Sequence, residues 1–381
     1  MKRFQRGVLL FVIAILMAGM FACASPASPP AAVTPAPTAV KPSQPTTAAP
    51  APEDAAWQKV IADAKKEGTV TLYSFGFISD LGNATKAAFK DKYGINLEFI
   101  TGTGSQLIPR IQSEYRAGQY VADVLEGSDI NAIFAKKQNL TQPYGDLPEM
   151  RSKDIWVVDP HFDKEGHIIA YTFTNYPLWI NSKMLNPADA PKSWKAIADP
   201  KWKGKIVVTD PDTMPIPGRL WVTLRRLGFT EDYFKDLGNL DLVIAPNQRE
   251  NDAMVARGQY PMTITSTEVT MGALIAEGAP VMPVDMAEGV PSLPNPTAVL
   301  MAKAPHPNAT RLFFNWLMSV EGQDIHGKFR SVASIRKGVT NYSPPAMNVQ
   351  YKKLVQLGQP EEEEAAQAQT DKILSKWWKK K

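Results

Sequence analysis

The sequence predicts an α/β protein built on parallel sheets with crossover helices. Between residues 55 and 137 a β-type run, a loop and an amphipathic helix recur three times, the pattern of consecutive βα units. After residue 200 the alternation resumes and predicts a second sheet. Residues 55–381 are enough for one large or two medium domains. The single cysteine, Cys23, lies outside them, so this part must be held by its core, without disulfides.

The elements follow in order. Trp57, Val60, Ile61 and Ala64 recur at helical spacing over 55–67, and Gly68 stops the helix. Residues 69–74 are a β-type run, 83–93 a helix ended by Gly94, and 95–100 the next strand. A Gly-rich turn at 101–105 opens a helix over 106–117; a third strand at 121–125 precedes a helix at 130–137. Ligands of parallel sheets sit beyond the carboxyl ends of the strands, which singles out the loops 74–79, 101–105 and 126–129. Farther on, 168–180 is strand-like, 205–209 an apolar strand, and 210–218 a rigid turn feeding a helix over 219–227. A helix over 251–257, a strand at 260–265 and a helix over 269–277 complete the second set. Residues 280–296 read as an extended connector broken by prolines, and 309–318 as a strongly apolar helix. The last helix, 360–378, starts with four glutamates and ends in lysines, both favourable to its dipole. Its Trp377-Trp378 pair is expected to dock on the domain or fray rather than touch an anionic surface.

The amino terminus reads as a secretory leader: Lys2, Arg3 and Arg6, then an apolar run over 8–16, then small residues up to Cys23. The run is too short for a membrane span, which needs ~20 residues. It resembles a bacterial lipoprotein signal (residues 1–22), in which Cys23 is lipidated and becomes the first residue; Met20 stands where such signals have leucine. Residues 23–54 are almost all Pro, Ala, Thr and Ser, expected as a disordered linker. At ~3.1 Å per residue it would let a domain stand up to roughly 90 Å from the bilayer. The formal charge of +4 includes the three leader cations, so it is no argument for a nucleic-acid partner.

The run Ser193-Trp-Lys-Ala-Ile-Ala-Asp-Pro-Lys-Trp-Lys-Gly-Lys-Ile206 resembles a signature of extracellular solute-binding proteins of ABC importers. Residues 274–281, 303–308 and 317–323 match later landmarks of that group, in order, and 101–105 its small-residue turn. The similarity covers about residues 56–340 and is nearest the ferric-iron-type cluster. It implies a type II periplasmic-binding-protein fold: two Rossmann-like lobes joined by crossing hinge strands and closing over a ligand. On that basis lobe 1 is expected over 55–175 and 284–345, lobe 2 over 176–283, and a helical segment over 346–381. The implied partners are a small solute and a membrane permease; a monomer without cofactor, lipid-anchored at the outer face of the cytoplasmic membrane or in the periplasm, is expected.

Iron binders of the group use adjacent tyrosines after the second lobe's last strand. This chain has Thr263-Ile-Thr-Ser-Thr-Glu268 there, and no Tyr-Tyr pair anywhere. A small polar organic ligand is therefore expected, with iron held by other groups or a ligand-sensing lipoprotein as alternatives. The candidate site is Ser74, Phe75, Gly76, Thr103, Gly104, Ser105, Ser128, Asp129, Arg219, Ser266, Thr267 and Glu268. Thr103, Gly104 and Ser105 begin a helix, where free N–H groups suit an anion; Arg219 could fork onto a carboxylate or phosphonate. Ser266, Thr267 and Glu268 either offer polar groups to ligand or cap the next helix. Glu126 and Asp129 suit an amine, and Trp179 and Trp221 read as core rather than as stacking faces for a sugar or aromatic ring. A hydrolase is the rival class, but no His-Glu-x-x-His, Gly-x-Ser-x-Gly or Walker pattern occurs.

Overall fold

The computed structural model describes residues 52–378 apart from 78, 162, 212–214, 331, 344–350 and 357–359. The leader, Cys23 and the linker up to residue 51 lie outside the described residues. The first helix, α1 (Pro52–Glu67), starts within the stretch expected as linker. Proline suits the first helical position because its missing N–H would have no partner there.

The first set of units is β1 (Thr69–Ser74), α2 (Ser79–Tyr93), β2 (Asn96–Thr101), α3 (Gly104–Arg116), β3 (Val124–Gly127), α4 (Asp129–Lys137) and β4 (Thr141–Gln142). The stretch expected as one strand over 168–180 is three: β5 (Ile168–Ile169), β6 (Phe173–Asn175) and β7 (Leu178–Asn181). Then come α5 (Trp194–Ile197), β8 (Ile206–Thr209), α6 (Pro215–Arg226), α7 (Glu231–Gly238), β9 (Val243–Ala245), α8 (Gln248–Ala256), β10 (Met262–Thr263), α9 (Glu268–Ala276) and β11 (Val281–Val284). The chain ends with β12 (Val290–Pro294), β13 (Thr297–Met301), α10 (Pro307–Leu317), α11 (Val320–Arg330), β14 (Leu354–Gln356) and α12 (Pro360–Trp377).

These strands form three sheets. The first runs β2-β1-β3-β13-β4, with β5 beside β13; the second runs β11-β7-β10-β8-β9; a small third sheet is β14-β12-β6. β1, β2 and β3 are parallel, as the βα repeat requires. β13 enters antiparallel to β3, and β7 antiparallel to β10, so each main sheet is mixed. The pair β6 and β12 is antiparallel and lies, in sequence, at the two passages between the main sheets. The connector expected over 280–296 is thus two paired strands. Its prolines fit because β11 and β12 read as extended residues whose remaining N–H groups still pair.

The first core centres on α10, whose Leu312, Phe313, Phe314 and Trp316 are fully buried. Phe313 meets Phe89 of α2 edge-on at 5.5 Å, and Phe77 at 6.1 Å. In the second set, Trp194, Trp221 and Phe234 are buried, and Trp221 meets Phe234 edge-on at 5.6 Å. Trp179 and Trp221 are both core.

The C-terminal segment, expected as helical, first contributes β14 alongside β12 and only then forms α12. That helix packs on α6 and α7. Trp378 is buried against Trp221 at 4.7 Å, and Trp377 Nε1 donates to Glu231 Oε1 at 2.9 Å. Gly238, at the end of α7, lets this contact form: a Cβ there would meet the Trp377 carbonyl oxygen at 2.6 Å. The Trp pair therefore docks.

Candidate functional site

Parallel register sets Ser74 opposite both Thr101 and Glu126. The loops that follow β1, β2 and β3 therefore leave the first sheet at one edge, the place where such sheets take ligands.

Glu126 organises that edge. Its buried carboxyl accepts from Ser74 Oγ (2.7 Å), Phe75 N (2.9 Å), Gly76 N (2.8 Å) and the Tyr171 hydroxyl (2.7 Å). Burial, followed by the Glu126 charge, pushes the Tyr171 phenol well above its ordinary value. The amine-binding role expected for Glu126 is thus displaced by four internal donors. Ser74 is buried too, donating to Glu126 and accepting from Phe77 N at 2.9 Å. Gly76 is required by space, since a Cβ would lie 2.7 Å from Glu126 Oε1. Phe75, whose backbone N–H this clasp holds, is 51% exposed.

At the adjacent loop the exposed Thr103 and Ser105 hydroxyls lie 2.8 Å apart at the start of α3. The Thr103 N–H donates to Gln106 Oε1 at 2.9 Å, half of a capping box. Gly104 abuts α4: a Cβ there would fall 2.2 Å from Asn131 Nδ2. The starts of α3 and α4 are therefore neighbours. Ser128 caps α4, accepting from Asn131 N at 3.4 Å, and buried Asp129 accepts from Ile130 N at 2.9 Å.

In the second sheet β8 and β10 are parallel, so the turns after them share an edge. Ser266 and Thr267 are buried; Thr267 caps α9 by accepting from Thr270 N at 3.3 Å and also accepts from Gln248 Nε2 at 3.3 Å. The capping role expected for this turn is therefore present for Thr267. Glu268 reaches across to the third sheet. It accepts from Asn175 Nδ2 on β6 (2.9 Å) and from the Tyr351 hydroxyl ahead of β14 (2.8 Å), and burial raises its carboxyl above the ordinary range. Arg219 belongs to α6, but its side chain lies outside the described residues.

Sequence reasoning missed Tyr171, Asn175, Asp252 and Tyr351. Asp252, on α8, is buried behind Ser266 and Thr270, and burial pushes its carboxyl up to about 6. Asn251 Nδ2 donates to its Oδ1 at 3.0 Å. No local signal marks these residues: Tyr351 lies 83 positions from Glu268, and Asn175 lies 93. Among the described residues no group of three His, Cys, Asp or Glu is placed to hold a metal ion, and no helix is long and apolar enough to cross a membrane.

Residues 48–324 match the family model of the bacterial extracellular solute-binding proteins, and the chain belongs to that family. It is the solute-binding component of an ABC import system and is not an enzyme. An uncharacterized protein of Haemophilus influenzae is 24% identical over 85% of this chain and 93% of its own length. Iron uptake protein A1 of Synechocystis is 29% identical over 39% of each chain; the match spans about two fifths of that relative. Two solved structures share the fold. The Trichodesmium protein IdiA (FutA), in complex with iron and citrate, has a TM-score of 0.69 at 18% identity, covering 82% of this chain and 100% of its own. AfuA from Actinobacillus pleuropneumoniae, with fructose-6-phosphate bound, has a TM-score of 0.59 at 21% identity, covering 81% and 97%.

Proposed function

We propose that the imported solute is a small polar organic molecule, trapped between lobe 1 (55–175 and 284–345) and lobe 2 (176–283). On lobe 1, Phe75 supplies an apolar face, Thr103, Gly104 and Ser105 take an anionic group, and Ser74, Gly76, Ser128 and Asp129 shape the wall. On lobe 2, Ser266, Thr267 and Glu268 form the opposed wall, with Arg219 from α6. The observation that carries this reading is the exposed Phe75 ring at the same sheet edge as the exposed Thr103 and Ser105 hydroxyls. An apolar face beside a few placed polar groups suits an organic solute. Calorimetry against amino acids, polyamines, phosphonates, sugars, sugar phosphates and Fe(III) tests it: an organic solute binds, and Thr103→Ala with Ser105→Ala weakens it.

A second reading, ferric iron, is favoured by the names of the iron-binding relatives. Here the turn after β10 carries Ser266, Thr267 and Glu268 where paired phenols are expected. A visible charge-transfer band on adding Fe(III) would establish iron and end the organic reading.

The same proposal has the leader export the domain to the outer face of the cytoplasmic membrane or the periplasm, where it stays tethered through lipid on Cys23, as a monomer on the linker expected over 23–54. Cys23→Ser should move it from the membrane to the soluble fraction; unchanged fractionation defeats the anchor.

A further inference from the structure

The crossing strands carry a polar cluster whose hydrogen bonding is incomplete. Glu268 sits at its centre, bonded to Asn175 and Tyr351. Register places Ser292 of β12 directly opposite Asn175 of β6. Directly opposed residues of an antiparallel pair project from the same face. Ser292 therefore lies on the Glu268 side of the ribbon, where it is fully buried. Its Oγ has no hydrogen-bond partner among the described residues, nor have Asn175 Oδ1 and Asp285 Oδ1. Asp285 follows β11; burial and then Glu268 strengthen the Tyr351 phenol's hold on its proton, and the Asp285 charge lies near enough to add a smaller share.

Buried polar groups are nearly always paired, so three orphaned oxygens around one carboxyl need a reason. All three can accept hydrogen bonds, the Ser292 hydroxyl can also donate one, and two carboxyls stand among them. Of the neighbouring donors, the Tyr351 hydroxyl and one N–H of Asn175 Nδ2 are already committed to Glu268. Acceptors outnumber the donors left in the cluster, and its two carboxyls favour a positively charged donor. A primary ammonium offers three N–H donors in a compact group.

We infer that Asn175, Glu268, Asp285 and Ser292 form a subsite for a primary ammonium of the solute. This rests on the organic-solute reading and narrows it to a zwitterion, its anionic end at the first turn of α3 and its ammonium at the crossing strands. Parting of the lobes admits the solute, and closure exchanges the orphaned acceptors for bonds to it.

The test uses the full chain and three matched pairs of probes: glutamate and glutarate, β-alanine and propionate, glucosamine 6-phosphate and glucose 6-phosphate. In calorimetry the amine member of at least one pair should bind roughly tenfold or more tightly than its amine-free partner. Ser292→Ala and Asp285→Asn, which sit on different segments, should each remove most of that difference while leaving the weaker partner's affinity and the melting temperature unchanged. Equal affinity for both members of a pair that binds overturns the subsite and leaves the organic-solute reading standing. So does a preference for the amine that survives both substitutions. Binding by none of the six, with binding of Fe(III), overturns both readings together.

Discussion

Gly76→Ala is the sharpest probe of the clasp that holds the first ligand loop. The new Cβ would stand 2.7 Å from Glu126 Oε1 and 3.4 Å from its Cδ, against an ordinary contact near 3.5 Å. The carboxyl would have to retreat by about 0.5–1 Å on that scale. It has nowhere to go without loss, because Oε1 holds the Tyr171 hydroxyl and Oε2 holds Ser74 Oγ and two backbone N–H groups. Breaking one buried bond costs about 1–3 kcal/mol, and forcing one methyl into a filled site costs about 1–3 kcal/mol. The two overlap, so a loss of about 2–4 kcal/mol is expected. The assay is urea unfolding of the full chain with the slope compared to wild type, so that a midpoint shift reports stability alone. Solute affinity should fall as well, since the clasp sets the position of Phe75. A change under about 0.5 kcal/mol, the range of an ordinary surface substitution, would mean that the loop shifts freely and that Glu126 does not fix it.

Three further outcomes follow from the buried groups. Asp252 binds its proton more tightly when folded than its ordinary value of 3.8. Its contribution is therefore fully present below that pH and is lost as pH rises through about 6, a decline of at most about 3 kcal/mol. Asp252→Asn should abolish that decline in urea melts at pH 4 and 7; an unchanged slope refutes it. His326 has the opposite sign. Burial, then Arg330, pushes it down to about 3, so stability falls as pH drops below 6.5, and His326→Phe should flatten the acid limb of a thermal-melt series. Trp378→Ala removes the edge-on contact with Trp221 and should cost about 3–5 kcal/mol, with α12 becoming sensitive to limited proteolysis; a protected α12 would show that the tail is not held there.

Much of the fold was legible because it is written in local pattern. The run 69–74 alternates as a strand and is β1 to the residue. The helices begin up to four residues earlier than their apolar spacing suggests, as at Ser79 and Gly104, because capping turns carry few apolar residues. α7 and β9 were missed: an eight-residue helix and a three-residue strand give too few repeats of a period to be read. The alternating units and the motif run 193–206 were enough to point to the two-lobed solute-binding class.

What the sequence by itself determined is the set of local elements, their order, and the loops that must gather at the strand ends. Tertiary structure alone decided that β13 would enter the first sheet antiparallel, that Glu126 would clasp a loop rather than meet a ligand, and that Glu268 would tie its helix to Asn175 and Tyr351. The reason is range. Strand and helix propensities act over a few residues, whereas a carboxyl's partner is set by which donors the packed lobes bring within 3 Å. Those donors come from positions 45 to 93 residues away, and a single sequence carries no record of that meeting.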